Sequence, residues 1–112
     1  MTAPRDFSLT KHAIARMLER FPRLKESWDA RKQPGVRLKF MYELFWEAEE
    51  LKSVVNDTEF MTYISNRYGA ENKYTFFMLN DAVFIGVTNE RGNHIVTVVR
   101  KCLFRSPQLR NS

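Results

Sequence analysis

Tyr74-Thr75-Phe76-Phe77-Met78-Leu79-Asn80-Asp81-Ala82-Val83-Phe84-Ile85-Gly86-Val87-Thr88-Asn89-Glu90-Arg91-Gly92-Asn93-His94-Ile95-Val96-Thr97-Val98-Val99-Arg100-Lys101 is the stretch whose reading decides the fold. It holds three apolar runs separated by polar residues. Aromatic and β-branched side chains dominate the runs, and such side chains suit a pleated, half-buried surface. Asn80-Asp81 occupies the place of a two-residue hairpin turn, and Asn89-Glu90-Arg91-Gly92 reads as a longer turn. The pattern predicts an antiparallel meander. Strict alternation along the third run would put His94, Val96 and Val98 on one face and Ile95, Thr97 and Val99 on the other.

Upstream the period changes from two to that of a helix. In Thr10-Lys11-His12-Ala13-Ile14-Ala15-Arg16-Met17-Leu18-Glu19-Arg20-Phe21, the residues Ile14, Met17, Leu18 and Phe21 form an apolar stripe. Ser8 or Thr10 can cap this helix, and Pro22 ends it, because a residue before proline is pushed out of helical geometry. A second short helix can restart with Pro22 at its first position, anchored by Leu24 and Trp28. Residues 30–35 read as a loop. A longer helix is expected over 36–54, with Leu38, Met41, Phe45 and Ala48 in one row and Leu44, Leu51 and Val55 in the next. Phe60, Tyr63, Ile64 and Tyr68 predict another helix, capped by Asn56-Asp57 and stopped by Gly69. A strand over 61–65 is the competing reading. Residues 1–7 are expected to be an arm and 106–112 a tail. Helices first and strands after give an α+β domain over residues 1–112, with helices packed on one face of a C-terminal antiparallel sheet.

The 112 residues are enough for one domain, and 44% hydrophobic content predicts a folded core. Nine phenylalanines make that core aromatic, each buried ring contributing about 1.5–3 kcal/mol. Eighteen Lys and Arg against 13 acids give a net charge of +5, which favours an anionic partner such as nucleic acid. The acids Glu43, Glu47, Glu49 and Glu50 cluster in the third helix, so the remainder is more basic than the total suggests. A single cysteine, Cys102, excludes an intrachain disulfide and reads as a packing residue. Two scattered histidines and one cysteine fall short of a metal framework, and no cofactor or metal is expected. The first residues lack the apolar run of a signal peptide, and no window approaches the ~20 apolar residues of a membrane span. A cytoplasmic protein without a membrane partner is therefore expected.

The first helix carries a second row. His12, Arg16 and Arg20 recur at steps of four and stack on one face. Cleavage of RNA without a metal needs proton transfer and cations for the phosphate charge. Histidine titrates near neutral pH, and arginine offers bidentate donors with a permanent charge. The same row also suits a solvated helix face, and spacing alone leaves both readings open. Thr97 interrupts an apolar run and can hold a phosphate oxygen or simply fill a strand position. Tyr74, Arg91 and Arg100 flank the strands and are candidates for substrate binding. His94, Arg67 and Tyr68 are further candidates to line the same cleft. Glycine-rich phosphate loops and Gly-x-Ser-x-Gly elbows are absent from the sequence.

His12-Ala13-Ile14-Ala15-Arg16-Met17-Leu18-Glu19-Arg20, followed by strands ending in Ile95-Val96-Thr97-Val98-Val99, resembles small toxin-like proteins of the DUF4258 type. Those are related to RelE-like toxins and the wider barnase–EndoU–colicin–RelE (BECR) ribonucleases. The resemblance covers the first helix and the last two strands, while residues 23–72 do not align. It implies a BECR-like fold and metal-independent cleavage of transfer RNA or ribosome-bound messenger RNA. It also implies His12 as acid–base residue, Arg16 and Arg20 as phosphate binders, Thr97 as an orienting group, and an acidic antitoxin or immunity protein as partner. The alternative expectation is a non-catalytic phage or mobile-element protein. Such a protein would bind and inhibit a host protein, through an aromatic surface around Phe40 and Trp46, or a nucleic acid.

Overall fold

The three C-terminal runs form the meander that the sequence predicts. The computed structural model describes residues 3–101. Cys102 and the expected tail lie outside the described residues. In chain order the elements are β1 (Ser8–Leu9), α1 (Lys11–Arg20), α2 (Pro22–Ala30), α3 (Pro34–Phe45), β2 (Glu49–Glu50), α4 (Thr58–Tyr68), β3 (Lys73–Leu79), β4 (Ala82–Asn89) and β5 (Gly92–Arg100). The strands make one five-stranded sheet in the order β1-β5-β4-β3-β2. Among the described residues only the β1–β5 pair is parallel.

Both hairpins turn on two residues. Leu79 pairs with Ala82 across Asn80-Asp81. Asn80 takes φ 54°, a left-handed conformation that asparagine tolerates better than most residues. Asn89 pairs with Gly92, so the second turn is Glu90-Arg91 and shorter than expected.

The third run departs from strict alternation. Ile85 opposes Thr97, yet Gly86 opposes Ile95, which leaves Val96 as an extra residue in β5. Such a bulge resets the faces. Ile95 and Val98 therefore join the core beneath α1 and α3, while Val96 and Val99 pack on the opposite side. Thr97 lies on that opposite side as well, beside Ile85 and Val99. The expected grouping of Ile95 with Thr97 is thus corrected.

Helices cover both faces of the sheet, not one. On the first face Phe77, Phe84, Ile95 and Val98 meet Ala13 and Met17 of α1 and Met41 and Phe45 of α3. The Phe45 ring centroid lies 5.7 Å from that of Phe77 and 4.9 Å from that of Phe84. On the second face Phe76, Val83, Ile85 and Val99 meet Phe60 and Ile64 of α4 and Val54. Splitting the apolar residues of a strand between two cores is what lets 112 residues bury rows on both sides of one sheet.

The helix ends follow local chemistry. Thr10 Oγ1 accepts the Ala13 N–H at 3.1 Å and donates to the Ile95 carbonyl at 2.7 Å, capping α1 and tying it to β5. Pro22 and Pro34 stand in the first turns of α2 and α3. The connection between those helices is consequently shorter than the expected loop over 30–35. Asp57 caps α4 by accepting the Phe60 N–H at 3.1 Å, and Gly69 ends it at φ 111°. The segment 58–68 is therefore helix, not strand.

Two expectations about chain course are corrected. The helix expected over 36–54 stops at Phe45. Glu49 and Glu50 instead pair with Met78 and Phe77 as an edge strand, and residues 52–56 form a 3-10 turn. Leu38, placed in the buried row, is 44% exposed. Of the arm expected over 1–7, residues 1–2 lie outside the described residues, and residues 3–7 are not simply an arm. A 3-10 turn over Pro4–Asp6 delivers a buried Phe7, whose ring meets Phe77 edge-on at 5.3 Å. A Cβ on Gly86 would stand 2.7 Å from the Phe7 ring, so the close approach requires glycine.

Candidate functional site

Past Leu9, β1 gives way to α1, and α1 continues along the same edge of β5. The Thr10 N–H donates to the Ile95 carbonyl at 3.2 Å. Further along, Arg20 Nη1 donates to the Val98 carbonyl and Arg100 Nη2 to the Arg20 carbonyl, each at 2.7 Å. These bonds turn the apolar stripe of α1 to one core and leave the His12–Arg16–Arg20 row facing round the sheet edge toward α4.

There the row closes a notch. His12, Arg16 and Arg20 line one wall. Tyr63, Ile64, Arg67 and Tyr68 of α4 line the other. Ile85, Thr97 and Val99 form the floor. The hollow measures about 60 Å³. Pockets that enclose a whole small molecule run to roughly 300–1,000 Å³. The notch therefore suits one group of a larger ligand, and three guanidinium groups select an anionic one.

Each side chain has a definite setting. His12 is exposed, and no hydrogen bond reaches its imidazole among the described residues. Arg16 Nη1 lies 2.5 Å from Glu19 Oε2, an exposed ion pair at the rim. Arg20 uses one of its five donors on Val98 and keeps the rest. Arg67 Nε donates to the Tyr68 hydroxyl at 3.4 Å, with its guanidinium 5.7 Å from the Tyr68 ring centroid. The phenol oxygen raises the Arg67 pKa above its already high ordinary value, so this cation stays charged. Thr97 is only 6% exposed.

The structure brings His12, Arg16, Arg20 and Thr97 together with Arg67 and Tyr68, and places Tyr74, Arg91, Arg100 and His94 elsewhere. Tyr74 donates its hydroxyl to the Gly69 carbonyl and braces the turn between α4 and β3. Burial pushes its phenol pKa up. Arg91 sits on the β4–β5 turn, where its carbonyl meets His94 Nε2 at 3.0 Å. His94 Nδ1 lies 2.8 Å from Ser8 Oγ, so this histidine clamps β1. Arg100 spends its guanidinium on the Arg20 carbonyl and does not line the notch. Tyr63 lines the notch although its helical spacing marked it only as part of an apolar stripe.

Two other surfaces were open to a functional reading. Met17, Phe21, Leu24, Leu44, Leu79, Ala82 and Phe84 line a larger hollow of about 180 Å³. Among the described residues its wall is apolar, with Asp81 the one ionisable group. The expected aromatic surface is partly covered. The Arg5 guanidinium lies 4.5 Å from the Trp46 ring centroid and that of Arg31 lies 3.9 Å from Phe40.

Comparison of the chain with protein-family models, with curated proteins and with solved structures finds no match. No helix among the described residues is long and apolar enough to cross a membrane.

Proposed function

We propose that the chain is a toxin-type, metal-independent ribonuclease of BECR-like fold, acting in the cytoplasm, with the RNA backbone bound in the α1–α4 notch. Arg16, Arg20 and Arg67 hold the scissile phosphate and offset the charge that builds on it. His12 supplies a proton transfer, either from the 2′-hydroxyl or to the leaving 5′-oxygen. The Thr97 hydroxyl orients a phosphate oxygen from the floor. The observation that carries the reading is that His12, Arg16, Arg20 and Thr97, from opposite ends of the chain, line one small notch. The +5 net charge supports an RNA ligand, transfer RNA or ribosome-bound messenger RNA, and an acidic antitoxin or immunity protein that covers the notch.

RNA digestion in the presence of chelator tests it. Wild type is expected to cleave, and His12→Ala is expected to lose at least about a hundredfold in rate, the usual share of acid–base catalysis. Full activity in His12→Ala would remove His12 from the mechanism. No cleavage of transfer RNA or of translated messenger RNA by wild type would overturn the nuclease reading.

A second reading, binding of nucleic acid without cleavage, draws on a specific observation. Among the described residues the His12 imidazole has no partner to orient it, and Arg20 already spends one donor on Val98. That reading predicts affinity that falls steeply with salt, because bound counterions are released, and no cleavage at any concentration.

A further inference from the structure

The α4 wall holds a feature that phosphate binding does not use. Tyr63 borders the notch yet is 51% exposed, the most open of the large apolar side chains among the described residues. Its ring is braced by buried Phe60, with centroids 6.4 Å apart and planes tilted by 44°. Arg67 follows four residues later, so ring and guanidinium are neighbours on one helix face. Arg16 and Arg20 stand on the opposite wall. An exposed, braced ring beside a cationic slot is the arrangement by which proteins stack unpaired bases.

The size of the notch sharpens the point. At about 60 Å³ the hollow is far smaller than a pocket that encloses a whole small molecule, so a nucleotide whose phosphate enters it leaves its base toward the rim. Of the two rings on the notch wall, Tyr63 and Tyr68, Tyr63 is the more exposed. A base presents its π-face only when it has left a duplex, since paired bases are stacked on one another.

We propose that Tyr63 stacks on the base flanking the bound phosphate and thereby restricts the notch to single-stranded RNA. The inference rests on the reading of the notch as an RNA-phosphate site. Duplex RNA offers the arginines its phosphates but gives Tyr63 nothing to stack on.

The test uses the full chain and a 2′-O-methyl RNA strand of about twelve nucleotides, which lacks the 2′-hydroxyl and stays intact. The strand carries 2-aminopurine at its centre and is offered alone or annealed to its complement. Anisotropy reads affinity, and 2-aminopurine emission reads stacking. Wild type is expected to bind the single strand more tightly than the duplex and to quench the probe. Tyr63→Ala should weaken single-strand binding by about 5- to 150-fold, the range for loss of one stacked base, and abolish the quench. Tyr63→Phe should restore both, and duplex affinity should stay unchanged in all three. Tyr63→Leu, which keeps the apolar contact with Phe60 but has no ring, should behave as Tyr63→Ala does and replaces it if the alanine variant does not fold. Equal binding of duplex and single strand by wild type would overturn the inference. So would unchanged single-strand affinity in Tyr63→Leu while Arg16→Ala loses it, a result that leaves the phosphate site standing. Absence of binding to either form at low salt would overturn the phosphate site itself and the stacking role with it.

Discussion

Arg20 and Val98 are joined by a 2.7 Å hydrogen bond from guanidinium to main-chain carbonyl, and it fastens α1 to the open edge of β5. An edge strand otherwise presents unpaired carbonyls to solvent or to another chain. The bond also fixes the height of the cationic row above Thr97. Arg20→Ala is expected to lower stability by about 1–2 kcal/mol, the usual effect of losing a charged donor to a partly buried acceptor. Urea denaturation checks this. An unchanged midpoint would reduce Arg20 to a ligand-binding residue with no structural role.

Gly86 and Phe7 are in tighter contact than any other side chain would permit. A Cβ at position 86 would meet the Phe7 ring at 2.7 Å and the Thr75 carbonyl at 3.1 Å. Gly86→Ala is expected to cost about 1–3 kcal/mol, as overpacked cores do. Phe7→Leu opens space at the ring edge and should recover part of that loss. A double-mutant cycle by thermal unfolding measures the coupling, and simple additivity would show that the two positions do not interact.

Glu19 competes with any anion for Arg16. The ion pair is exposed, and such pairs contribute about 0–1 kcal/mol, so Glu19→Gln should leave stability almost unchanged. It should tighten RNA binding severalfold and steepen the dependence of log Kd on log salt by about one unit, as one more cation becomes available. Affinity and salt slope equal to wild type would place Arg16 outside the binding contact.

Tyr74 makes stability depend on alkaline pH. Burial raises its pKa above the ordinary value of 10.0, so the folded state prefers the neutral phenol. The folded state then holds its proton where the unfolded chain has lost it. The stabilisation is whole below pH ~10 and fades as pH rises through the folded value. Tyr74→Phe should be less stable than wild type at pH 8, having lost the bond to Gly69, and the gap should narrow above pH ~10. Denaturation midpoints across that range check the sign, and a gap that widens would contradict it.

What could be read from the chain alone follows the reach of each signal. The meander was legible because its runs are β-branched and aromatic and its turns carry Asn80 and Gly92. The row His12–Arg16–Arg20 was legible because helical spacing is local. The bulge at Val96 was not, since a valine in a bulge looks like a valine in a ladder. The strand at Glu49-Glu50 was hidden because glutamate is a poor strand former, and pairing with Phe77 and Met78 imposes the conformation. Phe7 was lost among polar neighbours, and its burial depends on the absence of a side chain at Gly86. Arg67 and Tyr68 stood among the candidates, but that they and Tyr63 form the opposite wall depends on α4 lying on the far face of the sheet, which no local pattern encodes.

The parallel pairing of Ser8 and Leu9 with His94 and Ile95 spans nearly the whole chain. Its consequence is temporal. During translation the N-terminal segment leaves the ribosome first and has no strand to join until the last hairpin emerges. Phe7, Met17 and the cationic row must wait, since contacts so distant in sequence close late. A ribosome-held chain that has not yet exposed Thr97 therefore carries His12 and its arginines but no floor beneath them. The notch comes into being only after synthesis has passed β5, so its walls and floor meet among the last events of folding.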